Sequence, residues 1–379
     1  MKALEELMVH LAGRPVELAR LRNEGAKIVG YVPNGYMPEE LVYASGAIPV
    51  GLLRGGEHEP VAVSGAYVPR FLDTFCRAQI GYRMLGDDLL YQIVDLVVVP
   101  VTDNNIRAIA DTWAFYTDVE TFRYGVPHTK DELGCEYYLG SLHEFREKLE
   151  DFTGAEIDGS RLSESIGLFN EIKGVLKEIS LLRKSERVPI SGKDFARLNH
   201  ASFYADPATF LQLLRSLFEE LRQKEVPVKK PRILLTGSTL AMGDYKILDL
   251  VEQAGGAVVV EEFSEGIRPY WENVEANGDP LKALADAYFM RRVPPAFFRP
   301  SRERVDFVLH LAEEFKVDGI IWYQLMYRDS YDVESFYFER ILKESLGIPM
   351  LKIQSDYDMS EVGPLRTRVE TFIDTLDRG

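Results

Sequence analysis

Cysteine is nearly missing from this chain: Cys76 and Cys135 are the only two in 379 residues. Two thiols so far apart exclude a disulfide framework. They also leave no C-x-x-C or paired Cys/His spacing from which to build a self-contained zinc or iron–sulfur site. The six histidines, at 10, 58, 128, 143, 200 and 310, are scattered, and no H-E-x-x-H occurs. Only His128 falls in a strand-end loop. Long apolar runs are missing too, since no stretch approaches the roughly 20 residues of a membrane span. Positive charge is in deficit: 44 Lys and Arg stand against 60 Asp and Glu, a net charge of −16. That balance argues against a nucleic-acid partner, because phosphate binding depends on a basic surface. Glu5, Glu6 and Glu17 break up the apolar positions near the start, so no signal peptide is expected and the cytoplasm is the expected location. There is no G-x-S-x-G elbow, which removes an α/β-hydrolase reading.

What is present is ordinary globular composition, 46% hydrophobic and 27% charged, over a length sufficient for two domains. A weak internal duplication organises it. "KIVGYVPNGY" (27–36) reads as strand and loop, "MPEELVYASG" (37–46) as helix, and "AIPVGLL" (47–53) as strand. The same order returns in "RILLTGSTLA" (232–241), "GDYKILDLVEQAGG" (243–256) and "AVVVEEF" (257–263). Third strands follow in "VDLVVVPVTDNN" (94–105) and "VDGIIWYQLMYRDS" (317–330), both introduced by Val-Asp. Fourth elements are each built around Gly-(Val/Ile)-Pro, in "FRYGVPHTKDE" (122–132) and "LGIPMLKIQSDYD" (346–358). The economical reading is α/β: two doubly wound parallel-sheet domains related by internal duplication, at 1–140 and 231–379. Between them, 141–230 reads as a helical segment and linker. Ile166, Phe169, Ile172, Val175, Ile179 and Leu182 recur there at helical spacing, and "EVPVKKP" (225–231) is the expected linker.

In a parallel sheet, ligands collect at the carboxyl ends of the strands. The run Leu96–Val99 is apolar enough for a central strand, which puts Val101, Thr102, Asp103 and Asn104 at such an end. Two other stretches compete for attention. "TGSTLAMGD" (236–244), followed by Glu261 and Glu262, has the layout of a dinucleotide fold but lacks G-x-G-x-x-G, so a plain strand-to-helix turn is favoured. The arginines at 291, 292, 299, 302 and 304 form a basic island. A solvated helix start is favoured there over a phosphate clamp.

"YMPEELVYASGAIPVGLL", "ILLTGSTLAMGDYKILDLVEQAGGAVV", "DPLKALADAYF" and "GIPMLKIQSDYD…GPLRTRVETFID" together resemble the 2-hydroxyacyl-CoA dehydratase and benzoyl-CoA reductase family, in the right order over nearly the whole chain. The resemblance implies two α/β domains facing across a cleft, with a [4Fe–4S] cluster held there by three cysteines. The first matches Cys76, the only matched metal ligand. The other two positions, where the family reads Cys-Asp, hold Thr102-Asp103 and Arg328-Asp329 here. A hydroxyl is a poor substitute for a thiolate, and a guanidinium cannot ligate.

The resemblance therefore implies a subunit of an acyl-CoA dehydratase or reductase complex that binds no conventional cluster alone. A cluster-bearing homologous subunit, an ATP-dependent activator and an acyl-CoA substrate would complete the system. Asn34, Tyr36, Thr102, Asp103, Gln324, Arg328 and Asp329 are the residues expected to line the cleft. A stand-alone protein binding an acidic ligand through Arg328 and Arg268, and an enzyme with an atypically ligated cluster, are the alternatives. If Arg328 pairs with Asp103 across the cleft, the pair locks the domains. If it finds no carboxylate, it is free for a substrate anion.

Overall fold

A computed structural model describes residues 1–224, 231–275 and 278–377; of the expected linker, 225–230 lie outside the described residues. Two four-stranded sheets, all parallel, make up the frame. The first contains β1 (Ile28–Tyr31), β2 (Ile48–Gly51), β3 (Leu96–Val101) and β4 (Glu120–Gly125), in the order β2-β1-β3-β4. The second contains β5 (Arg232–Gly237), β6 (Ala257–Glu262), β7 (Gly319–Leu325) and β8 (Met350–Ser355), in the order β6-β5-β7-β8. The two orders are the same topology, as the duplicated sequence requires.

The repeated Val-Asp has a structural reason. Asp95 and Asp318 stand just before β3 and β7, and each locks its strand to the neighbouring central one. The Asp95 carboxylate accepts from the Ile28 N–H at 2.9 Å, and its own N–H donates to the Ile28 carbonyl at 3.0 Å. Asp318 does the same with Arg232, at 2.8 and 2.9 Å. The side chain satisfies a backbone donor that the parallel ladder leaves open at the strand start.

The Gly-(Val/Ile)-Pro match does not correspond in space. Gly125 closes β4, so Val126 and Pro127 follow that strand, whereas Gly347, Ile348 and Pro349 precede β8. Proline cannot donate to a ladder and is tolerated at either end of a strand, so the shared motif marks a boundary without saying which one.

β3 and β7 are central and buried, with Leu96–Val99 and every residue of β7 shielded from solvent. The edge strand β4 begins on an exposed Glu120. Between the sheets in the chain lie the helices Gly159–Leu182, Gly192–Ala201 and Pro207–Arg222, preceded by Glu132–Thr153, which runs through residue 140. Ile166, Phe169, Ile172, Leu176 and Ile179 form the buried face of Gly159–Leu182. The N-terminal helix Lys2–Asn23 packs on Pro207–Arg222, where the Ala3 N–H donates to Glu220 at 2.9 Å. No helix among the described residues is long and apolar enough to cross a membrane.

The carboxyl edges of the two sheets meet, and backbone joins them. Met242, in the loop after β5, donates to the Leu53 carbonyl at 2.8 Å and accepts from the Gly55 N–H at 2.9 Å. That contact explains Gly243 of "TGSTLAMGD", whereas Gly237 is required within its own sheet, where a Cβ would lie 1.6 Å from the Tyr323 carbonyl oxygen. A Cβ on Gly56 would lie 2.7 Å from the Gly243 backbone, and one on Gly243 would lie 2.4 Å from the Gly55 carbonyl oxygen. The loop approaches the other domain rather than a phosphate. A second bridge joins Arg299, whose N–H donates to the His128 carbonyl at 2.7 Å and whose carbonyl accepts from the Lys130 N–H at 2.8 Å.

Candidate functional site

Three positions singled out by the sequence converge between the domains. Asp103 follows β3 and caps the helix Asn104–Tyr116, its Oδ1 accepting from the N–H groups of Asn105 and Ile106 at 2.8 and 3.1 Å. An aspartate there both neutralises open helix donors and suits the positive helix end. The same carboxylate meets Arg328 from the other domain with two contacts, Nη2–Oδ2 at 2.9 Å and Nη1–Oδ1 at 3.1 Å. This is a fork-to-fork pair, the strong geometry for guanidinium and carboxylate.

Arg328 follows Tyr327, whose φ of 65° lies in the left-handed region that a tyrosine seldom adopts. That turn directs the guanidinium back toward the first domain. Arg328 also lies over the Tyr331 ring, 5.7 Å from its centroid, while Tyr327 makes an edge contact with Phe71 across the domains at 5.8 Å.

Cys76 sits in the first turn of the helix Thr74–Leu85, fully buried. Its N–H donates to the capping Asp73 at 2.9 Å. The Asp73 N–H in turn donates to Asn105 at 3.0 Å, which ties this helix start to that of Asp103. Burial, reinforced by Asp73, pushes the Cys76 thiol well up, against the pull of Arg328. The sulfur is therefore a protonated thiol. Burial also raises Asp73, which Arg328 draws back down. Burial disfavours the charge on Arg328, but Asp103 and then Asp73 more than offset it and hold the guanidinium firmly protonated. One thiol, one hydroxyl and a paired guanidinium do not fit a three-thiolate cluster. A cation held beside a cationic iron site adds repulsion to the missing ligands.

The other expected cleft residues are placed differently. Thr102 is buried, its hydroxyl 3.4 Å from Asp103 and its carbonyl 2.7 Å from His128 Nε2. Asn34 is internally committed, donating to the Pro100 carbonyl at 2.6 Å and accepting from the Tyr36 N–H at 3.2 Å. Tyr36 is core, stacked on Phe298, with its hydroxyl buried and unpaired. Gln324 bridges Trp322 and Asp332, at 3.0 and 3.1 Å, inside the second domain. Asp329 is exposed at the start of the helix Asp329–Leu346. Thus Cys76, Thr102, Asp103 and Arg328 are brought together, and the remaining four are not part of that cluster.

Sequence reasoning missed the buried charges around it. Glu265 has no hydrogen-bond donor at Oε2, and burial pushes its carboxyl up to about 7 beside Arg268 and Arg328. A group near that value exchanges a proton close to neutral pH. Glu262 is held by Arg268 and Arg304, and Arg304 also pairs with Glu334. Glu261 meets Arg183 at 2.7 and 2.9 Å. The two acids that follow the dinucleotide-like turn are therefore internal salt bridges. The basic island likewise disperses. Arg304 is buried in that network, and Arg292 donates to the Arg268 carbonyl at 2.6 Å. Arg291 and Arg302 pair with surface acids.

The model of the family described as 2-hydroxyglutaryl-CoA dehydratase, D-component, matches residues 34–376. The chain belongs to that D-component family. Among its relatives, this D-component-family chain is 24% identical over 364 residues to the (R)-phenyllactyl-CoA dehydratase beta subunit of Clostridium sporogenes, covering 95% of this chain and 94% of the relative. It is 23% identical to a benzoyl-CoA reductase subunit of Thauera aromatica, with 92% and 91% covered. It is 23% identical to the (R)-2-hydroxyglutaryl-CoA dehydratase beta subunit of Acidaminococcus fermentans, with 98% of each chain covered. All three are named as subunits, and the expected family holds.

Proposed function

We propose that this chain is a cytoplasmic subunit of a 2-hydroxyacyl-CoA dehydratase or benzoyl-CoA reductase-like complex that holds no conventional [4Fe–4S] cluster of its own. Its part is to supply cleft walls and an assembly surface to a cluster-bearing homologous partner, with an ATP-dependent activator feeding the electrons and an acyl-CoA as substrate. The observation that carries this reading is the Arg328–Asp103 pair beside the protonated Cys76 thiol. A fork-to-fork ion pair stands where ligation would need deprotonated sulfur. The pair joins the two backbone bridges in closing the domains, which favours the locked, structural role over a substrate clamp.

Anaerobic purification from the native source, with iron and sulfide counted for each separated chain, tests the proposal. The expected result is co-elution with a homologous, iron-containing partner, while the separated chain is iron-free after desalting. A chain that elutes alone, or that retains about four irons, the content of one such cluster, overturns it. Thr102→Cys combined with Arg328→Cys is expected to gain iron on anaerobic reconstitution.

A further inference from the structure

Apart from the Arg328 cluster, the first domain carries a hollow of about 280 Å³, larger than the roughly 150 Å³ that accommodates benzene. Three pieces of chain wall it: residues that follow β2, the end of the helix Thr74–Leu85 with the turn after it, and Pro15 of the N-terminal helix. Pro15, Leu85 and Leu89 give it an apolar side. Glu57, Glu59, Asp87 and Asp88 stand around it with a single base, Arg54.

The charges there do not cancel. Arg54 Nε meets Asp88 Oδ2 at 2.6 Å, which spends the base on one acid. Asp88 is further committed as a helix cap, accepting from the Leu90 N–H at 3.0 Å. Glu57, Glu59 and Asp87 are exposed and pair with no cation among the described residues, so three negative charges remain. A hollow lined by one sign of charge focuses its field on a counter-ion. Beside these acids lies Tyr82, 3% exposed and stacked on Tyr91 with ring centroids 5.2 Å apart. Its hydroxyl forms no hydrogen bond. Burial first, then the Glu57 carboxylate, push that hydroxyl up, against the pull of Arg54. The oxygen therefore stands among the residues that line the hollow rather than in the core behind it. A buried hydroxyl is ordinarily satisfied, and this one can offer its lone pairs to an N–H donor.

We infer that this hollow binds a linear aliphatic polyamine, its ammonium groups received by Glu57, Glu59, Asp87 and the Tyr82 hydroxyl oxygen and its methylene stem laid on Pro15, Leu85 and Leu89. A single metal ion fits less well, because no three acids or histidines among the described residues are placed to share one. Spaced carboxylates suit spaced charges, and the apolar wall suits the chain between them. An anion is repelled by the three unpaired acids, and Arg54 is not free to receive one. The site uses none of the residues of the Arg328 cluster and does not rest on the function proposed above.

Calorimetric titration of the full chain with spermidine, pentylamine and 1,5-pentanediol tests it, at neutral pH and low ionic strength, where exposed charges are least screened. Spermidine is expected to saturate at one site with Kd on the order of 0.1 mM, within reach of a ligand of about ten non-hydrogen atoms. Pentylamine, with one charge, is expected to bind at least about 5-fold more weakly, and pentanediol not at all. Glu57→Gln with Asp87→Asn is expected to weaken spermidine at least about 10-fold, having removed two charge-assisted acceptors. Glu370→Gln with Asp374→Asn removes the same amount of charge from the helix Val362–Asp377 of the second domain. It is expected to leave the affinity within about 2-fold, because charges that far off are screened. Tyr82→Phe deletes a hydroxyl that has no protein partner, so folding is retained. It is expected to weaken spermidine about 3- to 10-fold, the usual size for one hydrogen bond. Absence of saturation, equal binding of pentylamine, an equal loss in both charge variants, or unchanged affinity in Tyr82→Phe overturns the inference.

Discussion

Replacing Arg328 by alanine removes one side of the contact that joins the domains beside Cys76. The guanidinium is 8% exposed and the Asp103 carboxylate 30%. Breaking a fully buried pair costs about 3–5 kcal/mol. Here the survivor has two helix N–H groups and some solvent, so the loss is smaller, about 2–3 kcal/mol. At about 2–4 °C per kcal/mol for units of this size, the midpoint falls by about 4–12 °C. Asp103→Asn keeps a good capping residue but strands the guanidinium, which has less access to water. It is expected to cost at least as much as Arg328→Ala. The double variant is then expected to be less destabilised than the sum of the singles, with a coupling of about 1.5 kcal/mol or more. Urea unfolding of the four proteins measures this, and acyl-CoA binding of each is read in parallel. Single losses below about 0.5 kcal/mol, the level of an ordinary surface change, would refute the lock. Lost acyl-CoA binding at normal stability would return Arg328 to the role of anion clamp.

Lys173→Met, which leaves Glu40 buried with only the Tyr288 hydroxyl, is expected to cost about 3–5 kcal/mol in urea unfolding; Lys173→Met with Glu40→Gln should recover part of it. Gly56→Ala places a Cβ 2.7 Å from the Gly243 backbone at a φ of 83°, and a loss of at least about 1 kcal/mol, read as a lowered thermal midpoint, is expected from the strain alone. Burial lowers His200 to about 4, only partly opposed by the Leu240 carbonyl. The unfolded chain therefore takes up this proton near pH 6.5 and the folded chain only near 4. Stability from this group is fully present above about pH 6.5 and is lost as pH falls toward about 4. Unfolding free energies measured across that window should fall less steeply for His200→Gln. Tyr36→Phe, which deletes a buried unpaired hydroxyl, should leave the midpoint unchanged or raise it.

The two sheets were legible because buried parallel strands write continuous apolar runs, and because Asp95 and Asp318 do the same hydrogen-bonding job in both halves. Asp103 was legible as a strand-end residue, its partner Arg328 only through the resemblance. A Thr-Asp after a strand otherwise reads as a helix cap, which it also is. The bridges at Met242 and Arg299 use backbone atoms, and no side-chain identity announces a backbone bond; the small residues at 55, 56 and 243 hint at the first of them alone. Glu39 and Glu40 read as ordinary acids in a first helical turn, where the helix dipole favours them. Nothing local says that one will meet Lys173 and the other a cavity, because those partners lie over 130 residues away in one case and across three parts of the fold in the other. The arginine island failed for a related reason: adjacent arginines on a turn and helix diverge, some inward to Glu262 and some to the surface.

The backbone bridges also have a history in the making of the chain. The ribosome releases the first sheet and the helices up to Arg222 before β5 exists, and those parts have most of their own contacts by then. The Leu53 carbonyl, the Gly55 N–H, the His128 carbonyl and the Lys130 N–H do not: their partners are Met242 and Arg299. During synthesis these donors and acceptors are met by water alone. The second domain, made last, is therefore what completes the first, because it alone brings the backbone groups that these four positions need.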